Sequence, residues 1–368
     1  MDERDSRAKS YWRHRYAVML SELAFSIIFL AVFQFAGISG FLKDAALSIH
    51  PNFYTALLIY LAVFGIVFYV VIFPLELYGG FILERKFSLS NQSLAAWLKD
   101  EAKKAAVSSV IFLLLLEAFY AIANNVPAFW WLAAAAFWIA VSLVLARLFP
   151  VLILPLFYRY SPLSKESLRK RALDLAAKFH IKVLDVFEID FSTKTKKANA
   201  AIIGWGRSKR IIMADNLVKE FTDEEAVAVL AHEMAHHKLK HVWKLLFMGA
   251  LSTALFFFIL SRISHGLVAA FGAAGISDMA LFPAIYLLFL AYSTIAMPVE
   301  NTISRKFERD ADIMALKMTG DREPFISMME TLAEKNVSDK NPNRLIEFLL
   351  YSHPSIAKRI ERARRMTL

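Results

Sequence analysis

The segment His232-Glu233-Met234-Ala235-His236 sets two imidazoles four residues apart, with a carboxylate beside the first. On a helix, residues four apart share a face about one turn apart. Both imidazoles can then hold one Zn²⁺, and Glu233 can reach a water on the metal as a general base. The bare pattern recurs by chance in long helices, so its setting matters. Upstream, Thr222-Asp223-Glu224-Glu225 reads as a capping box that starts a helix. The helix then runs through AVAVLAHEMAHHKLKH without Pro or Gly. Val227, Val229, Leu230 and Ala231 make the approach to His232 apolar. Histidines solvated on a polar face, the plain alternative, would need no such approach. The chemistry implied is metal-assisted hydrolysis.

A two-histidine site needs a third protein ligand and keeps one position for water. The best candidate is Glu308, in Ser304-Arg305-Lys306-Phe307-Glu308-Arg309-Asp310-Ala311-Asp312. If this stretch is helical, Asp312 stands one turn past Glu308 and can accept a hydrogen bond from the non-ligating nitrogen of a metal-bound histidine. Such a bond fixes the tautomer and makes the ligand more basic. An ordinary charged helix is the alternative. Glu308 and Asp312, however, form a like-charge pair that is mildly unfavourable on a bare surface, and a nearby cation removes that penalty. Arg305, three residues before Glu308, is expected to orient it. His237 and His241 are expected off the ligand face. The chain has no cysteine, which excludes disulfides, thiol chemistry and cysteine ligands. A metal must therefore be held by histidine and carboxylate.

The elements that carry these residues are mostly apolar. Of the 368 residues 57% are hydrophobic, and the mean hydropathy is +0.45. Six stretches approach the ~20 apolar residues that a membrane span needs. They cover residues 16–41, 54–77, 105–122, 127–149, 242–263 and 280–299. The first is too long for a cleaved secretory signal. Lys and Arg cluster before the first span, after the second, after the fourth and after the sixth, while the intervening loops carry few. That alternation places both termini and the HExxH segment on the cytoplasmic side. It also accounts for the net charge of +10, through attraction to anionic lipid rather than nucleic acid, for which no motif is present. Glu22, Glu76 and Glu117 fall within or at the ends of spans. Carboxylates there are costly unless they face water or a partner, so a water-filled chamber or lateral opening toward the metal is expected.

Four sections follow: a four-span bundle at 1–150, a catalytic insert at 151–241, a two-span hairpin at 242–299 and a C-terminal part at 300–368. Within the insert, residues 164–179 read as an amphipathic helix capped by Ser164. Residues 183–189, 199–204 and 210–213 read as strands, the last two joined by a turn at 204–208. The HExxH helix should pass almost directly through Lys240-His241 into the fifth span. The hairpin then separates His236 from Glu308, which sets the metal near the bilayer surface. The fold class is mainly α: a polytopic bundle of about six spans with a small α+β part split by the hairpin.

The chain resembles the integral-membrane zinc metalloproteases that include the type I CAAX prenyl proteases and the HtpX-type quality-control proteases. HEMAH and SRKFERDAD resemble the family's two zinc motifs. Phe73-Pro74-Leu75-Glu76 with Glu84-Arg85-Lys86-Phe87-Ser88-Leu89-Ser90 resembles the prenyl protease segment after a span, as do Leu154-Pro155-Leu156-Phe157 and Ser161-Pro162-Leu163. The prenyl protease branch is the closer likeness. The resemblance implies a zincin-like cytoplasmic α+β metalloprotease domain with one Zn²⁺ on His232, His236 and Glu308. It gives Glu233 the role of catalytic base and sets Asp312 behind the ligands. Asn199-Ala200 would hold the substrate backbone, which suits strand addition to a sheet edge. His353-Pro354-Ser355 with Arg359 would bring a histidine and an arginine to the site, where either can stabilise an oxyanion. The substrate implied is a peptide or protein, lipidated or membrane-associated, met at a bacterial or archaeal cell membrane or, in a eukaryote, at the endoplasmic reticulum. Six spans are counted where the eukaryotic prenyl proteases are described with seven. Two other readings stay open: quality control of misfolded membrane proteins, and a non-enzymatic transporter with structural zinc.

Overall fold

The computed structural model describes residues 3–204 and 209–367. Among them, six helices are long and apolar enough to cross a membrane. They are Glu3–Phe35, Phe53–Leu77, Leu94–Asn125, Trp130–Leu148, His241–Phe271 and Phe282–Thr319. Each expected stretch falls on one of them, but the extents differ for physical reasons. The first helix is already formed at Glu3, the first described residue, well before residue 16, and its charged beginning has a partner surface. Tyr11 donates to Glu84 (2.5 Å), Trp12 donates to the Val337 carbonyl (3.0 Å), and Tyr11, Leu83, Leu89 and Val337 bury one another. The same helix stops at Phe35, short of residue 41. Gly37 takes a left-handed φ of 74° there, and a separate short helix follows, Ile38–Ile49. After the second span, the chain makes a π-helical turn at Tyr78–Ile82. A side chain on Gly80 would lie 3.2 Å from the Trp97 ring, so glycine lets the turn pack against the third span.

Between the fourth and fifth spans lies a four-stranded sheet, counted among the described residues. Its strands are β1 (Tyr160–Pro162), β2 (Val186–Ile189), β3 (Ala200–Ile203) and β4 (Arg210–Ala214), in the order β1-β2-β4-β3. The β2–β4 pair is parallel and the other two pairs are antiparallel. The three expected strands are present. β1 was not expected, since Ser161 and Pro162 carry no strand signal; Pro162 is tolerated because β1 lies at an edge. Of the expected turn at 204–208, Trp205–Ser208 lie outside the described residues. The amphipathic helix is Glu166–Lys178, one turn shorter than expected. Ser164 does not cap it; its hydroxyl donates to Glu188 (2.6 Å).

The sheet, the helix Glu166–Lys178, the HExxH helix Asp223–Lys238 and the helix Glu323–Lys335 share one core, in which Ile211, Leu230, Met234 and Phe325 are buried. The capping box is formed as expected: Glu225 N–H donates to Thr222 Oγ1 (3.2 Å), and Thr222 N–H donates to the Glu225 carboxylate (2.9 Å). That carboxylate also accepts from Ser327 (2.5 Å) and Thr331 (2.9 Å), which docks Glu323–Lys335 onto the start of the HExxH helix. Burial pushes the Glu225 carboxyl up, but the bonds from Ser327, Thr222 and Thr331 outweigh it and hold it below the ordinary value of 4.5. A depressed folded-state pKa stabilises above the ordinary value, and that contribution is lost as pH falls through the folded value. Glu225→Ala should therefore destabilise the protein by about 1–3 kcal/mol near neutral pH, through the lost cap and two orphaned hydroxyls. Unfolding in detergent checks this, and the gap from wild type should narrow as the pH drops past 4.5.

Candidate active site

The capping box fixes where the HExxH helix begins, and so which way its histidines face. His232 and His236 lie one turn apart with their Nε2 atoms 3.1 Å from each other. The long helix Phe282–Thr319 crosses this face. It delivers Glu308 with Oε2 3.3 Å from His232 Nε2 and Oε1 3.2 Å from His236 Nε2. These donor atoms lie within 4.8 Å of one another. Glu308 Oε2 is buried and makes no hydrogen bond. Two imidazole nitrogens and a carboxylate oxygen aimed at one point, with an oxygen otherwise unbonded, fit a metal ion of nitrogen and oxygen preference.

Asp312 lies where the one-turn spacing put it, with Oδ1 3.0 Å from His232 Nδ1. A carboxylate there accepts the Nδ1 proton and leaves the Nε2 lone pair facing the metal point. Burial disfavours a charged His232, yet the adjacent carboxylates of Asp312 and Glu308 outweigh it and lift this imidazole to about 9. The pocket is thus built to favour positive charge at this spot. Burial likewise pushes the Glu233 carboxyl up, against the pull of His232 and His236. A carboxyl raised toward neutrality suits a group that must both take and return a proton.

Arg359, from the helix Ile356–Arg365, binds Asp312 with both edges of its guanidinium: Nε to Oδ2 at 2.9 Å and Nη2 to Oδ1 at 2.6 Å. The same Nη2 is 3.8 Å from Glu308 Oε2. Arg359 is therefore buried behind the ligands and compensates both carboxylates. His353 is exposed on the cleft side, with Nε2 3.3 Å from Glu308 Oε1.

A cleft of about 800 Å³ lies over these groups, lined by His232, Glu233, His236, Glu308 and His353. Asn199 and Ala200 line its other wall. Ala200 opens β3, which has β4 on one side and no further strand on the other among the described residues. The Asn199 carbonyl accepts from Ala214 N–H (2.9 Å), so this segment is anchored to the sheet. Of the expected site residues, Asn199, Ala200, His232, Glu233, His236, Glu308 and His353 line this cleft, while Asp312 and Arg359 lie behind the histidines. Sequence reasoning missed Phe149 and Trp243, which also line it; both had been absorbed into the hydrophobic count of spans. His353 stands as well on a second cavity of about 760 Å³, lined by Arg15, Glu22 and Glu76 from the first two spans. Glu22 and Glu76 thus face open space as expected. Glu117 is not among its lining residues.

Two neighbours of the motifs act differently from expectation. Arg305 does not orient Glu308. Its Nη1 donates to the carbonyls of Glu347 (3.0 Å), Phe348 (3.2 Å) and Tyr351 (2.5 Å) at the end of the helix Arg344–Leu350, which leads to His353. A cation there also complements the helix dipole. His237 and His241 lie outside the ligand group, as expected. His241, however, does not point away from the site. The HExxH helix does not pass smoothly into the fifth span, because Lys240 adopts a left-handed φ of 57°. That break turns His241 back, with Nδ1 3.1 Å from His236 Nδ1 and its ring stacked on Phe307 at 4.6 Å. His236 can then donate Nδ1–H to His241 while its Nε2 faces the metal point.

Known proteins bear on this geometry directly. The Peptidase family M48 model matches residues 162–367, and the model for the CAAX prenyl protease N-terminal region, five membrane helices, matches residues 2–159. The chain belongs to peptidase family M48, with the CAAX prenyl protease type of membrane region, and is an integral-membrane metalloprotease. It is 31% identical over 298 residues to the uncharacterized metalloprotease YhfN of Bacillus subtilis, covering 80% of this chain and 70% of that one. It is 30% identical over 297 residues to a CAAX prenyl protease 1 homolog of Oryza sativa, covering 78% and 68%. Its fold matches the crystal structure of S. mikatae Ste24p with a TM-score of 0.87 at 25% identity, over 98% of this chain and 89% of that one. Within residues 2–159, the described part of this chain holds four candidate spans and the short helix Ile38–Ile49.

Replacing His241 by Phe keeps the ring stack but removes the acceptor for His236. Metal affinity should fall about 10–100-fold, the usual cost of losing such a partner. Competition with a chelator measures it; an affinity equal to wild type would reduce His241 to packing.

Proposed function

We propose that the protein is a zinc endopeptidase of the CAAX prenyl protease type, acting on lipidated or membrane-associated peptides. The observation that carries this is the convergence of His232, His236 and Glu308 at the floor of a cleft whose wall includes β3, an edge strand of the sheet among the described residues. Support for a lipidated substrate comes from relatives named CAAX prenyl protease 1. The alternating basic loops support a cytoplasmic site and cytoplasmic termini.

His232, His236 and Glu308 would hold the zinc, with Asp312 fixing the His232 tautomer and Arg359 holding Asp312. Zinc, when bound, supplies Lewis acidity that polarises a carbonyl and makes water acidic enough to ionise near neutral pH. Asn199 and Ala200 align the substrate as an added strand, which brings the scissile carbonyl over the floor of the cleft. Glu233 takes a proton from the attacking water and gives it to the leaving nitrogen. His353 stands where an N–H can meet the oxyanion. Arg359 is tied to Asp312 and acts through that residue.

Glu233→Gln should abolish turnover and keep zinc, whereas His232→Ala, His236→Ala or Glu308→Ala should lose zinc and turnover together. His353→Ala should lower kcat by about 10²–10³, the cost of one oxyanion donor, at unchanged zinc content. The assay offers purified protein a farnesylated CAAX peptide, its unlipidated twin and an unfolded membrane protein, with and without chelator. Wild-type turnover in the Glu233→Gln protein would falsify the general-base assignment. Cleavage of the unfolded protein with no preference for the lipid would redirect the reading to quality control.

A further inference from the structure

A further cavity, of about 470 Å³ and distinct from the two spaces that His353 lines, lies between the third to sixth spans. It is within the roughly 300–1,000 Å³ typical of small-molecule sites. Its walls are largely aromatic: Phe256 packs against Phe289 at 5.4 Å and Tyr292 at 5.5 Å, and Trp138 against Phe257 at 6.0 Å. The polar groups at its upper end bond to one another. Ser252 donates to Glu300 (2.9 Å), and Tyr292 donates to the Ser252 carbonyl (2.9 Å). The space is suited to a hydrocarbon.

Its position decides which hydrocarbon. On the helix His241–Phe271, Val242 and Leu245 line the metal cleft, and Gly249, Ser252, Phe256 and Leu260 line the cavity. These positions are three or four apart, so they form one helix face that runs from cleft to cavity. On the helix Phe282–Thr319, Phe289, Ser293, Ala296 and Glu300 line the cavity, and Glu308, eight residues or about two turns past Glu300, lines the cleft. On the fourth span, Trp138 lines the cavity and Ala146 the cleft, eight residues further along one face. One wall therefore runs unbroken between the two spaces, and two further helices line both. Gly249 lies eight residues past His241, and Glu300 eight before Glu308, so the cavity mouth is about 12 Å along each helix from the metal point. A hydrocarbon held in this cavity is aimed at the cleft, where peptide is cut.

We infer that this cavity receives the isoprenyl chain of a lipidated substrate, with the attached peptide lying over His232, His236 and Glu308. The inference rests on the peptidase reading above and adds the place of the lipid. Gly249 is the position to test. Gly249 lines the cavity and a Cβ added there meets nothing within 4 Å, so larger side chains fit at this wall without a clash at the backbone. They also improve helix propensity over glycine.

Two measurements test it. The first uses Gly249→Ala, Gly249→Leu and Gly249→Trp and reads kcat/KM for a farnesylated peptide divided by that for its unlipidated twin. The ratio should fall in the order of side-chain size, by at least tenfold in Gly249→Trp. A ratio equal to wild type across the series overturns the inference. The second does not depend on cleavage. A peptide whose isoprenyl chain ends in a diazirine is photolysed on the Glu233→Gln protein, and the adducts are mapped by mass spectrometry. Adducts at residues 249–260 and 285–296, competed by farnesylated peptide, are expected. Adducts on the first two spans beside Glu22 and Glu76, or adducts that the farnesylated peptide does not compete, refute it. An inactive protein that still labels at 249–260 would retain the lipid site and lose the peptidase reading.

Discussion

Glu308 and Asp312 stand one turn apart on one helix, and only 5% and 2% of their surfaces reach solvent. Desolvating one unpaired carboxylate costs several kcal/mol, and a second of the same sign beside it adds repulsion. Most of the site answers that constraint. Arg359 neutralises Asp312 through two hydrogen bonds, and Asp312 accepts from His232. Glu308 faces the two histidines and is left with an oxygen that no protein group satisfies. One cation thus lies behind the pair, and a cation-favouring point lies in front. Removing Arg359 would leave two buried carboxylates uncompensated, so its loss is a matter of folding as much as of chemistry.

The membrane bundle and the site are mechanically one object. The helix that carries Glu308 begins inside the apolar bundle, where Phe282 is buried, and ends beside the HExxH helix. Arg305, on the same helix, grips the end of Arg344–Leu350 and so places the segment bearing His353. The first helix reaches out of the membrane to meet Val337 and, through Tyr16 and Tyr351 (2.7 Å), the same C-terminal segment.

What could be read from the sequence is what helical periodicity encodes locally. His232 with His236, Glu308 with Asp312, and Thr222 with Glu225 are all pairs three or four residues apart, so their juxtaposition needs only a helix. The spans follow from length and apolarity. The misreadings have another source: backbone breaks and long-range partners. Lys240 carries no glycine-like signal, yet its left-handed turn returns His241 to the site. Arg305 looked local to Glu308 and binds carbonyls more than 40 residues away. Ser164 has the right type for a cap and bonds instead to Glu188 across the sheet. The resemblance to known proteases supplied Asn199, His353 and Arg359, which no spacing rule connects to the HExxH segment.

The helix Phe282–Thr319 is also a lever. Pivoted near residue 290, it carries Glu308 about 27 Å from the fulcrum. A tilt of about 5° would then swing the carboxylate by about 2 Å, ten times the ±0.2 Å or so that a metal–ligand bond tolerates. Bilayers of different thickness tilt spanning helices by such amounts. Coordination can survive this only if the far end of the rod is clamped to the body that holds the histidines. The buried contacts of Asp312, Ala315 and Met318 with the catalytic core hold that end of the rod and oppose such a displacement of Glu308.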